Sequence, residues 1–259
     1  MMLPMGAGIT QVTSLSSRQH DDVVLPGKDV LPGKDVLPGE DVLPVLPVLR
    51  GLLPAGGLLR GSVVAAGRWS MLCLALAAGA SVDGAWCAVA GLPQLGVRAA
   101  ADAGLDSGRL LLIADPGTGW PQVVASLLDG FEIVLLRPPE RPSAQLRRRV
   151  EAAVRRHGSV LVVAGDWDGA QVRLHIARQE WTGIGVGHGR LRARRVEVVA
   201  DGRGAWARPR TRWLWLPGPD GSVTAAADWV VGAGSADGAG GSNSAWTDHR
   251  GAVAVSGAG

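Results

Sequence analysis

The chain has 259 residues, 47% apolar and 19% charged, with a net charge of +3 and a mean hydropathy of +0.18. That is enough apolar material for a sizeable core in one α/β domain with extensions, or in two small domains. Three classes drop out: the longest apolar run, Met71 to Ala80, is too short to span a bilayer, no basic region precedes an apolar stretch at the N-terminus, and Cys73 and Cys87 form neither a CxxC nor a metal-spaced set. A cytoplasmic protein with two free core thiols is expected. The charge is uneven, because residues 137–212 hold 17 Arg against 7 acids, which is +10 and leaves −7 for the rest. Such a segment attracts phosphate or an acidic partner, or else supplies solvated strand and helix faces.

Residues 1–47 read as an extension without a core. Val24 to Asp41 is a tandem hexapeptide, VLPGKD-VLPGKD-VLPGED, running into VLPVLP. Its Pro-Gly pairs favour turns and forbid helix continuation. The folded domain is expected over 48–217. Gly61 to Ala66 suits a short buried strand, Met71 to Ala80 an apolar helix, and Ala85 to Val89 the next strand. A helix over Leu92–Ala103 follows, then the strand Leu110–Ala114, which ends in the turn Asp115-Pro116-Gly117. A helix over Pro121–Leu128 and a strand over Glu132–Leu136 come next. Ser143 is placed to cap a helix over Ala144–His157 that Gly158 ends, before the strand Val160–Ala164.

All-apolar strands alternating with helices predict a mostly parallel sheet covered by helices on both faces, hence an α/β fold. After Gly165 the pattern turns to alternation. Gln171–Arg178, Arg194–Val199 and Thr211–Leu216 read as late antiparallel strands, with a hairpin turn at Asp201–Gly204. Residues 218–259 read as a flexible tail rich in Gly, Ala and Ser.

A strand, a glycine turn and a helix at 61–80 is the setting of a phosphate loop, which needs G-x-x-x-x-G-K-[ST]. Aligned on the helix, Ala65 takes the first glycine position and Ser70 the second, with Gly67 between. Met71 stands where the lysine belongs, and Leu72 and Cys73 stand where hydroxyls belong. The strand that should end in a magnesium-holding acid ends in Arg137, the opposite charge. No catalytic residue, cofactor or metal site is therefore assigned. Asp166 and Asp168, lone His175 and His188, the serines Ser62, Ser70 and Ser81, and the glycine-rich Gly183–Gly189 each lack the partners or setting that a mechanism needs.

Gly51-Leu52-Leu53 through Gly61-Ser62-Val63-Val64, the degenerate loop, and Trp86-Cys87-Ala88-Val89-Ala90-Gly91-Leu92-Pro93 together resemble the RecA superfamily. More narrowly the chain is similar to the actinobacterial ImuA-prime group, through Leu110–Ala114 with Pro116 to Pro121, Val124 to Gly130, Arg173 to Trp181 and Gly187 to Gly204. The resemblance spans residues 48–217, and the hexapeptide repeat lies outside it. It implies a DNA-damage-induced mutagenesis complex of the SOS response. In it such a protein acts as a translesion-synthesis adaptor for an ImuB-like, catalytically inactive Y-family polymerase relative and, through it, a C-family error-prone polymerase. The alternative is a RecA-like protein that binds DNA or regulates a recombinase without a polymerase.

Two surfaces are candidates for a partner or for non-specific DNA. Ten Trp against one Phe and no Tyr is unusual, and Trp and Arg dominate interface hot spots. Trp206, Trp213 and Trp215 interleave with Arg203, Arg208, Arg210 and Arg212, and alternation puts Trp213 and Trp215 on one strand face with Arg212 on the other. The second candidate is the basic run Arg190, Arg192, Arg194 and Arg195. The five arginines of the helix over 144–157 read as a solvated outer face.

Overall fold

Strands buried on both faces organise the molecule. The computed structural model describes residues 11–12, 41–68, 70–184, 189–202, 208–226, 246–247 and 253–254. In chain order the strands are β1 (Gln11–Val12), β2 (Val42–Pro44), β3 (Gly57–Leu59), β4 (Val63–Ala65), β5 (Cys87–Ala90), β6 (Leu110–Ile113), β7 (Ile133–Leu136) and β8 (Val160–Val163). They continue as β9 (Val172–Ile184), β10 (Gly189–Gly202), β11 (Arg210–Trp215), β12 (Thr224–Ala225), β13 (Trp246–Thr247) and β14 (Val253–Ala254). The helices are α1 (Ser70–Val82), α2 (Val97–Asp102), α3 (Trp120–Gly130) and α4 (Ala144–His157).

The main sheet runs β1-β6-β5-β7-β8-β4-β9-β10-β11-β12. Every pairing from β1 to β9 is parallel, and β9, β10, β11 and β12 pair antiparallel. This is the expected α/β architecture, a mostly parallel sheet flanked by helices with late antiparallel strands. All residues of β4, β5, β7 and β8 are buried, as strands covered on both faces must be. One core layer lies between the sheet and α1 and α2, the other between the sheet and α3 and α4.

Local rules account for the helix ends. Ser143 Oγ accepts the Leu146 amide at 3.2 Å, and Gly158 closes α4 in the left-handed region at φ 61°. By contrast α2 is shorter than periodicity suggests. Pro93 and Gly96 precede it, and helix begins only at Val97. α1 is apolar on nearly all sides, and such a helix is stable only when enclosed. Its outer side is covered by residues 43–58, whose Leu43, Val45, Leu49, Leu52, Leu53 and Leu58 join the α1 core layer. At Gly79 a side chain would overlap the Val45 backbone, so a glycine is required for that contact.

The folded body therefore starts earlier than the sequence suggests. Residues 42–47, read as part of the extension, form β2 and the entry to a 3-10 turn over Pro47–Leu52. It also ends later, since β12 pairs with β11 and Ala226 is buried. The predicted hairpin turn falls largely on residues 203–207, outside the described residues.

Candidate functional site

β4 lies inside the sheet, between β8 and β9. Its connection through α1 leads to β5 on one side, while β8 leads to β9 on the other. Ligands of open α/β sheets bind outside the carboxyl ends of strands, at such points of divergence. The residues there are Ala66, Gly67 and Arg68 after β4, Gly91 after β5, Arg137 after β7, and Gly165 to Asp168 after β8.

Hydrogen bonds and close packing tie these ends together. The amides of Ala66, Arg137 and Ala164 donate to the carbonyls of Val163, Ala90 and Leu136 at 2.9, 2.9 and 2.8 Å. Gly91 has φ 80°, and a side chain on it would overlap the Arg137 carbonyl. The loop Gly67-Arg68 begins with Gly67 at φ 57°, which favours glycine. Ala65 is buried.

The first turn of α1 faces inward. Met71 packs against the α1 core layer, and Leu72 and Cys73 are fully buried. Burial pushes the Cys73 thiol up to about 12, and Arg137, at the end of β7, is exposed. Arg68 is exposed as well. The edge thus offers guanidinium groups and apolar side chains where phosphate-loop chemistry would call for an amine, a hydroxyl and an acid.

Asp166 and Asp168 do not act as a pair. Trp167 between them is buried beneath α4, and its indole donates to Glu151 at 2.9 Å. Asp168 binds Arg147 at 2.7 Å and Arg141 at 3.5 Å.

The arginine run does not form one patch, because neighbouring residues of a strand point to opposite faces. Arg194 lies on the core side, 4% exposed; its Nε donates to the Leu216 carbonyl at 2.7 Å and its guanidinium stacks 5.3 Å from the Trp181 ring. Burial lowers its pKa to about 10, so it remains charged at neutral pH. Arg195 lies on the other face, 3.7 Å from Glu180 and 4.4 Å from the Trp213 ring. Arg192 is exposed. The side chain of Arg190, all of Trp206, and His188 lie outside the described residues.

On β11 the predicted separation holds. Trp213 and Trp215 are half-buried on one face, opposite Glu197 and Arg195 of β10. The other face carries Arg210, Arg212 and the buried Leu214, which belongs to the α1 core layer. The Trp pair therefore lies on the side away from that core, within a charged lattice that includes Arg178–Glu197 at 3.2 Å. Sequence reasoning missed Glu180 and Glu197 as the partners of these arginines. The signal was present, since cross-strand neighbours of opposite charge follow once the hairpin register is set.

It also missed Arg50. Arg208, Arg210 and Arg212 are all exposed, Arg210 Nη1 donates to the Gly51 carbonyl at 3.3 Å, and the exposed Arg50 is the residue before that Gly51. A groove of about 530 Å³ runs between α3 and α4, over Pro121, Ala125, Leu146, Val150 and Ala153, with Arg149 and Arg156 among its lining. Among the described residues no His, Cys, Asp and Glu cluster has metal-binding geometry, and no helix is long and apolar enough to cross a membrane.

The chain matches the protein family described as MT3502 N-terminal domain over residues 51–169. It is also similar to a protein of Mycobacterium tuberculosis (strain ATCC 25618 / H37Rv) described as uncharacterized protein Rv3395c. The two are 40% identical over 128 residues, which is 48% of this chain and 62% of the relative. The chain thus matches somewhat less than two thirds of that relative's length. The family match begins in the 3-10 turn and stops just before β9, so it takes in the parallel strands β4 to β8 and not β9 to β12.

Proposed function

We propose that this protein is a non-catalytic, RecA-like adaptor of the ImuA-prime kind. In this reading it serves DNA-damage-induced, error-prone translesion synthesis as part of the SOS response. Its direct partner is an ImuB-like inactive Y-family polymerase relative, through which it meets a C-family error-prone polymerase, and it acts in the cytoplasm and at the nucleoid when recruited.

One observation carries the reading. At the carboxyl edge of β4, where a phosphate loop would hold nucleotide, Met71, Leu72 and Cys73 pack into the core, and the exposed Arg137 follows β7 where an acid would stand. An amine that neutralises phosphate and an acid that holds magnesium are both replaced, while the strand, the turn and the helix persist. A fold kept without its catalytic groups is best explained by its surfaces. The mostly parallel sheet with late antiparallel strands supports the resemblance at the level of architecture.

Co-purification with the ImuB-like polymerase relative, at high salt and with nuclease present, tests the partner. A stable complex is expected, and its absence when both proteins are folded would remove the polymerase link. ATP hydrolysis above background that disappears on a Met71→Glu substitution would overturn the non-catalytic reading.

The second reading, a DNA-binding or recombinase-regulating protein without a polymerase, draws on the exposed arginines around β11. It predicts an effect on recombinase filaments in the absence of any polymerase component.

A further inference from the structure

Two stretches of chain about 160 residues apart come together at the far end of the sheet, where Arg210 and Arg212 of β11 lie over Gly51. Arg210 and Arg212 share a face of β11, and Arg208 precedes them by two residues. The turn over Pro47–Leu52 lies against that face. Arg210 is tethered to the Gly51 carbonyl, and the Arg212 guanidinium lies so close over Gly51 that a methyl there would come within 3.1 Å of its Nη2. Arg50 adjoins Gly51, and all four side chains are exposed.

Several other arginines are paired with acids. Asp168 takes Arg141 and Arg147, Glu197 takes Arg178, and Glu180 takes Arg195. Among the described residues no ion pair holds Arg50, Arg208 or Arg212. The exposed arginines of α4 are divided, since Arg149 and Arg156 line the α3–α4 groove while Arg155 lies beside Gly61. At β11 like charges gather, and two of the four guanidinium groups are held in place by the backbone beneath them. A guanidinium is a planar fork of donors that matches phosphate oxygens, and prepositioning lowers the entropy lost on binding.

We propose that the Arg50, Arg208, Arg210 and Arg212 surface binds the phosphate backbone of nucleic acid. This deepens the DNA-contact part of the reading above and rests on it, and it moves the contact away from the Arg190–Arg195 run, whose Arg194 is buried. Trp213 and Trp215 lie on the opposite face of β11, so neither can stack a base beside the patch. Binding is therefore independent of base sequence.

The test uses the full chain with a labelled oligothymidine strand and, separately, a duplex of equal length, titrated by fluorescence anisotropy as salt rises. Four phosphate contacts give a slope of log K against log salt of about −3 on single strands and somewhat steeper on duplex. Whichever form binds more tightly identifies the source of the phosphates. The triple variant Arg208→Gln, Arg210→Gln, Arg212→Gln weakens binding about tenfold or more and flattens the slope by about 2. Arg50→Gln alone, which removes no side-chain hydrogen bond among the described residues, gives a smaller loss of the same kind. Arg148→Gln with Arg155→Gln leaves affinity within about twofold.

An unchanged slope in the triple variant overturns the proposal, and so does failure of the folded wild type to bind either form. If the wild type binds no DNA but the triple variant loses its protein partner, the patch serves an acidic protein surface and the proposal falls. Because the polymerase complex is scored with nuclease present, failure of the adaptor reading and failure of this one are read separately.

Discussion

The parallel and antiparallel halves of the sheet use their side chains differently. In β4, β5, β7 and β8 every residue is buried, so packing takes all of them and chemistry is left to the loops at the strand ends. In β9, β10 and β11 one face packs on the α1 layer through Val172, Leu174, Val196, Val198 and Leu214. The other face carries Arg178, Glu180, Arg195, Glu197, Trp213 and Trp215. The parallel half thus leaves only its strand-end loops open to solvent chemistry, while the antiparallel half also keeps a charged face and an end clear of the core.

The first way to break this contrast is to truncate equivalent core positions. Leu135→Ala in β7 should destabilise the protein by about 2–5 kcal/mol, read as a lower urea midpoint, because it leaves a cavity in a fully buried strand. Val199→Ala on the charged face of β10 should cost well under about 1 kcal/mol. Equal losses would mean that the second face is packed as tightly as the first.

Gly91→Ala should cost about 3 kcal/mol, since it combines a positive φ with overlap on the Arg137 carbonyl. A neutral result would show that the strand ends are looser than their hydrogen bonds indicate. Arg194→Met should cost about 1–3 kcal/mol by leaving the Leu216 carbonyl without its donor. Here the core face of β10 holds a polar anchor, and urea unfolding of the variant measures it.

The cysteines sharpen the contrast by reactivity. Burial raises both thiols to about 12. Each should resist a thiol reagent at pH 8 in the native protein and react only after unfolding. An unfolded thiol ionises near its ordinary value while the folded one stays protonated, so stability is complete below about pH 9 and falls as pH rises toward 12. Labelling of native Cys73 on the timescale of a free thiol would contradict the enclosed α1. A small effect is expected at Asp168→Asn, under about 1 kcal/mol, because that carboxylate is half exposed.

Legibility followed the physics of each region. α4 could be read to the residue, since Ser143 and Gly158 are local signals. The all-apolar strands declared a two-sided burial that only helices on both faces provide. What escaped was non-local. Nothing adjacent to Val45 says that it will rest on Gly79, and nothing near Arg50 points to β11. The basic run Arg190 to Arg195 looked continuous because charge was counted along the chain, whereas a strand sorts it by parity. The β9–β10 hairpin is also longer than alternation alone implied, since β9 runs on to Ile184 and β10 begins at Gly189.

The strand that pairs with β3 has a further property. Its triplet, Val42-Leu43-Pro44, is spelled the same way at Val24, Val30 and Val36, each copy six residues before the next. Removing or adding one hexapeptide upstream would therefore leave an identical triplet in place, followed by the same Val45 and Leu49 that anchor it to α1. The triplet that pairs with β3 is therefore insensitive to the number of copies, which instead sets the length of chain between β1 and β2.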